Sequence, residues 1–149
     1  MQAISQASEY AIRALTLLAQ RYGDGDEYHL AREVAADLDV PAPFLSKILV
    51  TLVGRGVLES RRGRGGGFRL ARPPEQVALY EVVDALEHLG RTRACVLGQE
   101  ECSDERACPL HDFWKRASAD WLARLTSTTL RDLVVFCRDR PEGRYPAAR

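Results

Sequence analysis

LAREVAADLDVPAPFLSKILVTLVGRGVLESRRGRGGGFRLAR, residues 30–72, holds two helical stripes, a turn and a glycine-rich hairpin in immediate succession. Leu30, Val34, Ala35 and Leu38 fall on one face of a short helix, and Asp39-Val40 closes it. Pro41-Ala-Pro43 restarts the chain. From about Pro43 to Val53, Phe44, Leu45, Ile48, Leu49 and Leu52 form an apolar stripe, proline is tolerated in the first turn, and Gly54 to Gly56 ends the helix. Two helices joined by so short a turn read as a helix-turn-helix. Val57 to Ser60 and Phe68 to Ala71 then read as two short strands around Arg61-Arg-Gly-Arg-Gly-Gly-Gly67, the outline of a wing.

On the N-terminal side, Ser5 to Tyr22 carries Ala11, Leu15, Leu18, Ala19 and Tyr22 at helical spacing, with Ser5 placed to cap the start. On the C-terminal side, Pro73-Pro74 breaks the chain. Leu79, Val82, Val83, Leu86 and Leu89 mark a fourth helix that Gly90 should stop. Residues 91–108 are polar, acidic and without a period, so a loop is expected that something other than an apolar core must order. Leu110, Phe113, Trp114, Ala117, Trp121, Leu122 and Leu125 recur every three or four residues from Pro109 to Leu125. That helix is too apolar on one face to stand alone: it either packs back on its own domain or pairs with a second copy, and the latter is the expected outcome. The fold class is therefore mostly α with a small β wing, a winged helix-turn-helix, plus a long C-terminal dimerisation helix. The expected organisation is a DNA-binding domain over residues 1–90, a cysteine-bearing loop over 91–108, dimerisation helices over 109–140 and a flexible tail over 141–149.

The 149 residues carry equal numbers of acidic and basic side chains, but not evenly. Residues 1–40 hold 3 basic and 7 acidic groups, residues 41–72 hold 7 and 1, and residues 73–149 hold 11 and 13. One segment of net +6 in an otherwise acidic chain is what a local phosphate-binding face requires, so the partner expected is double-stranded DNA. The N-terminal end of the second helix of the motif would face base edges, which nominates Ala42, Pro43, Ser46 and Lys47, with Arg55 near enough to reach a phosphate. In the wing, Arg61, Arg62, Arg64 and Arg69 surround bare backbone at Gly65, Gly66 and Gly67, a combination suited to a narrow minor groove. The glycines precede a strand rather than a helix and lack the Lys-Ser/Thr of a phosphate-binding loop, which argues against a nucleotide site. No catalytic residues and no enzymatic activity are expected.

No run of 18 apolar residues and no secretory start is present, so a cytoplasmic setting without a membrane partner is expected. In a reducing compartment the cysteines favour metal binding or redox chemistry over disulfides. Cys137 lies in the apolar stretch LVVFCR and reads as a buried structural thiol. Cys95, Cys102 and Cys108, with gaps of six and five residues and followed by Pro109-Leu110-His111, form a ligand-like set. Neither gap is the short pair usual in structural zinc sites, which favours an iron–sulfur cluster over zinc or over thiols acting without metal. His111, at the start of a helix, has a solvated position as its plainer reading.

Tyr10-Ala-Ile-Arg-Ala14, Phe44-Leu through Leu52, the wing Arg62-Gly-Arg-Gly-Gly-Gly-Phe-Arg-Leu-Ala-Arg72 and Cys108-Pro-Leu-His111 together resemble the IscR and NsrR regulators of the Rrf-two family, over nearly the whole chain to about residue 137. The resemblance implies a homodimeric transcription regulator whose long helices cross and whose cluster state sets promoter affinity in response to iron–sulfur status, nitric oxide or redox stress. In IscR-like members three cysteines and a histidine hold a 2Fe-2S cluster, which maps to Cys95, Cys102, Cys108 and His111. In NsrR-like members an acidic residue from the other protomer completes a 4Fe-4S cluster, and Glu9 stands close to that position. The resemblance favours 2Fe-2S, while the first cysteine gap, one residue longer than in IscR, leaves the ligand geometry and a 4Fe-4S centre open. Ser46 replaces a base-contacting glutamate, which implies a different operator, and Arg64 replaces a proline beside the minor-groove arginine that Arg62 matches. Two further readings are a cluster-free family member that responds through thiols or a small ligand, and an iron–sulfur electron carrier, for which the basic wing would have no use.

Overall fold

The structure, a computed structural model, describes residues 3–23, 27–89, 95–143 and 145–146. Helix α1 spans Gln6–Gln20, and the Ser5 hydroxyl accepts the Ser8 N–H at 3.2 Å to cap it. Glu87, at the far end of α4, accepts from the Ser5 N–H at 2.7 Å and the Ser8 hydroxyl at 2.5 Å, which ties the two helices end to end. Helix α2 spans Ala31–Leu38 and α3 spans Ala42–Gly54. Between them Asp39 turns left-handed at φ 51° and the Val40 N–H reaches back to the Ala35 carbonyl at 3.0 Å. That six-to-one ending makes the turn tight and buries Val40 under it. The end of α3 repeats the device: Gly56 takes φ +71° and the Val57 N–H reaches the Leu52 carbonyl at 3.1 Å.

Strands β1 (Leu58–Arg61) and β2 (Gly67–Leu70) pair antiparallel with Leu58 opposite Leu70 and Arg61 opposite Gly67. A third layer of pairing comes from His29, whose N–H and C=O exchange bonds of 2.9 and 2.8 Å with Phe68. A short 3-10 turn at Pro74–Gln76 leads into α4 (Leu79–Glu87), and α5 (His111–Ser127) and α6 (Leu130–Asp139) complete the order. Leu15, Leu45, Leu49, Leu52, Val57 and Val82 are fully buried in one core. Side chains of this kind contribute about 1.5–3 kcal/mol each on burial.

Several expectations shift. Tyr22 and Phe44, read as core, are 45% and 39% exposed; Phe44 instead meets the Tyr10 ring edge-on at 5.8 Å. Helix α4 ends at Glu87 rather than Leu89, because His88 turns left-handed at φ 54°; Gly90 lies outside the described residues, as do positions 91–94 of the loop. The long helix begins at His111 rather than Pro109. Within residues 109–140, α6 packs on the N-terminal body. Leu79 N–H bonds the Thr128 carbonyl at 2.9 Å, Leu130 N–H bonds the Val77 carbonyl at 3.0 Å, and Leu130 is fully buried in the common core. Cys137 is half-buried rather than buried, its Sγ 3.5 Å from the Tyr145 carbonyl, and that burial pushes the thiol pKa up. The described part of the tail lies against α1: Arg13 Nε donates to the Pro146 carbonyl at 2.8 Å, and the Tyr145 and Thr16 hydroxyls are 3.4 Å apart.

Candidate functional site

Helix α3 buries Leu45, Ile48, Leu49 and Leu52, so the opposite side of the same helix, Pro43, Lys47, Val50 and Thr51, faces outward. Ala42 and Ser46 are half-buried at the edge of that face. They line an open groove of roughly 820 Å³ with Tyr28, Arg64, Gly65 and Gly66 of the wing side. The helix and the wing tip thus share one concave surface, which Arg32 and Arg64 line together with Glu27 and Glu33. Val50, 60% exposed, was missed by reasoning that took the helix start alone, although its offset of three from Lys47 and seven from Pro43 puts it on the same stripe.

The wing arginines divide into two kinds. Arg61 Nη2 donates to the Gly65 carbonyl at 2.9 Å and its guanidinium lies 4.3 Å from the centre of the Tyr28 ring; Arg69 lies 4.6 Å from the same ring and pairs with Glu59. These two build the wing. Arg62 and Arg64 are exposed near its tip. Gly66 is buried, and a methyl group there would overlap the Arg61 carbonyl and stand 2.9 Å from the Gly63 oxygen. Arg55 sits at the end of α3, 4.0 Å from Asp84, on the side of the helix that meets α4.

Between α4 and α5 the chain brings the nominated ligands together in two pairs. The Cys95 and Cys108 sulfurs are 3.7 Å apart, and the Cys102 sulfur is 3.4 Å from His111 Nδ1. His111 is not solvated as its sequence position suggested: it is 7% exposed, and Nε2 lies 2.8 Å from Asp104 Oδ1. Asp104, in the 3-10 turn Asp104–Arg106, also accepts from Lys115 Nζ at 2.8 and 3.2 Å. The sequence reading passed over both. Asp104 falls between two cysteines and Lys115 lies one helical turn beyond His111, which was the available signal.

Charge follows this layout. The Leu97 N–H, 3.4 Å from Cys95 Sγ, holds that thiol below its ordinary pKa against the opposing effect of burial, helped by the Gln99 backbone and the Cys108 thiol. Cys102 is pushed up by burial and by the negative charge of the other two thiolates, with Lys115 working the other way. Hydrogen bonds from Lys115 and His111 pull the Asp104 carboxyl down.

The donors fit a sulfur-bridged iron centre. Two thiolates on one tetrahedral metal with bonds of about 2.3 Å stand roughly 3.8 Å apart, and the Cys95–Cys108 separation matches that edge. Among the described residues no group of three or more His, Cys, Asp or Glu side chains closes on a single metal position. Glu9 is half-buried in the first turn of α1, and its nominated role would operate between two copies of the chain. On α5 only His111 and Leu125 are buried, while Leu110, Phe113 and Trp121 are 41%, 61% and 40% exposed. Among the described residues no helix is long and apolar enough to cross a membrane.

Comparison with known proteins supplies the family. The Rrf2 family profile, described as an iron-dependent transcriptional regulator, matches residues 4–135. The transcriptional repressor NsrR of Streptomyces coelicolor is 33% identical over 148 residues, covering 94% of this chain and 99% of that protein. The transcriptional regulator IscR of Cereibacter sphaeroides is 32% identical over 133 residues, 88% of this chain and 86% of its own length. The solved structure of CymR, the global cysteine regulator of B. subtilis, superposes with a TM-score of 0.76 at 23% identity, covering 91% of this chain and 98% of that one. At that identity the likeness speaks for the fold alone.

Proposed function

The chain belongs to the Rrf2 family of transcriptional regulators, and from that membership we propose that it is a homodimer whose affinity for a promoter is governed by an iron–sulfur cluster held by Cys95, Cys102, Cys108 and His111. The observation that carries this reading is the pairing of four soft donors, 3.7 and 3.4 Å apart, in the connection between the reading domain and α5. Two ligand pairs favour 2Fe-2S. Glu9 from a second copy is the alternative fourth ligand for a 4Fe-4S centre.

Bound there, the cluster supplies one-electron chemistry and reactivity toward oxidants and nitric oxide. The chain does the rest. Cys95 is drawn toward its thiolate by the Leu97 N–H, and His111 is held by partners on both ring nitrogens. The exposed stripe of Leu110, Phe113 and Trp121 supports pairing of α5 with α5 of a second copy, which would bury side chains that water now covers. Since the cysteine segment runs directly into α5, ordering it sets where that helix starts, and with it the relative placement of two α3 helices and two wings. In this reading Ala42, Pro43, Ser46 and Lys47 meet bases, and Arg62, Arg64, Gly65 and Gly66 meet the minor groove. Arg61 acts on DNA chiefly by shaping the wing, and Arg55 reaches phosphate only by leaving Asp84.

One observation favours a second reading. Cys95 and Cys108, with Cys95 tilted toward thiolate, are near enough to close a disulfide, releasing two protons and passing two electrons to a peroxide. Oxygen-free purification separates the two. The cluster reading expects brown protein with iron and sulfide in stoichiometric amounts; a colourless, metal-free preparation whose DNA affinity changes reversibly with peroxide and dithiothreitol supports the thiol reading instead.

A further inference from the structure

Resting on the cluster reading, we infer that Asp104 is a positioning residue that presents His111 to the cluster through Nδ1, and that Lys115 holds Asp104 in turn. His111 is the buried partner of an exposed carboxylate: its side chain is 8% exposed against 78% for Asp104. Its Nε2 meets Asp104 Oδ1 at 2.8 Å and its Nδ1 meets Cys102 Sγ at 3.4 Å. A carboxylate only accepts, so Nε2 carries the ring hydrogen, and in the neutral imidazole Nδ1 keeps the lone pair. The Cys102 thiol donates to that lone pair. Bound iron would be held there by Cys102 as a thiolate, its proton lost to solvent, and by His111 through the unprotonated Nδ1.

Asp104 is itself a poor candidate ligand, because Oδ1 is shared by His111 and Lys115 and Oδ2 lies 3.2 Å from Lys115 Nζ. Nor is it a stability device, since an exposed Asp–Lys pair contributes little to folding. What it does is local. His111 and Lys115 are one turn apart on α5, so a single carboxylate rising from the 3-10 turn engages both and fixes the ring's rotation and tautomer together. Removing the carboxylate that orients a ligating histidine typically weakens metal retention by about 10–100-fold.

The test uses the full-length protein and the variants Asp104→Ala, Asp104→Asn and Lys115→Met. In metal-free protein, long-range proton–nitrogen correlation of labelled histidine should report the Nε2–H tautomer of His111 in the wild type and in D104N, where the amide oxygen still accepts, and a mixture in D104A. In anaerobic cluster-loaded protein, D104A should lose iron to a chelator about 10–100-fold faster, K115M by less. D104N should hold its cluster but show a higher reduction midpoint, because the negative charge is gone while the tautomer is kept. Circular dichroism confirms that each variant is folded, and D104N carries the test if D104A is not. An Nδ1–H tautomer in the wild type, or a cluster-bearing wild type that D104A and D104N match in release rate and midpoint, overturns this inference alone. A wild type without iron and sulfide overturns the cluster reading and this inference with it.

Discussion

Replacing Gly67 by alanine should damage the wing far more than replacing Gly63, although both glycines have positive φ. At Gly67, φ is +140° and a methyl group would overlap the His29 carbonyl and stand 3.0 Å from the Leu30 nitrogen. At Gly63, φ is +85° and nothing lies within 4 Å of the added carbon. Backbone strain of this kind costs about 1–3 kcal/mol. Pushing His29 away also breaks its two hydrogen bonds to Phe68, of 2.9 and 2.8 Å, at about 0.5–1.5 kcal/mol each. Together the loss for Gly67→Ala is about 2–6 kcal/mol, a large share of the roughly 5–15 kcal/mol that holds a domain of this size. Gly63→Ala should cost about 1–2 kcal/mol from its left-handed backbone alone. Urea unfolding of the two variants beside the wild type, followed by circular dichroism, measures both. Equal losses, or a Gly67→Ala loss below about 1 kcal/mol, would refute the idea that the wing is pinned at His29.

Further outcomes follow from the same geometry. Arg64→Ala should weaken operator binding and lower the slope of log affinity against log salt by about 0.9, one phosphate contact, with little effect on the unfolding midpoint; titrations at several salt concentrations check it. Phe113→Asp should shift the protein toward monomer in sedimentation while leaving the fold intact, since the side chain is 61% exposed in one chain. Leu130→Ala should destabilise the whole molecule by about 2–5 kcal/mol, because Leu130 is fully buried in the common core; a loss confined to melting of α6 would contradict that placement.

Much of the architecture could be read directly from the residues. The stripes of α1, α3 and α4 repeat at helical spacing, and three consecutive glycines between short apolar runs leave few alternatives to a wing. Aromatic side chains at the rim were misjudged, because Tyr22 and Phe44 satisfy the apolar period while lying half outside the core. The destination of α6 could not be read either: Leu130, Leu133 and Val134 announce a helix with one apolar side but not which body it covers. In the wing, counting charges did not reveal that the Arg61 guanidinium is engaged by Tyr28 and Gly65. In the cysteine segment, spacing nominated candidate donors but gave no sign of how they pair. Nor did it show that His111 meets Asp104 and that Asp104 meets Lys115, contacts that exist only once the segment folds against α5. Local periodicity carries information about faces, and tertiary contacts decide which polar groups those faces engage.

Promoter binding by one preparation of the protein, measured oxygen-free at a single salt concentration as purified and again after treatment with a chelator that strips iron, is the most direct trial of the proposed cluster-governed regulation. A coupling between the two sites predicts affinities that differ by about 5–150-fold. Identical affinity of the loaded and stripped forms for every promoter tried would contradict it, even with iron and sulfide present in full.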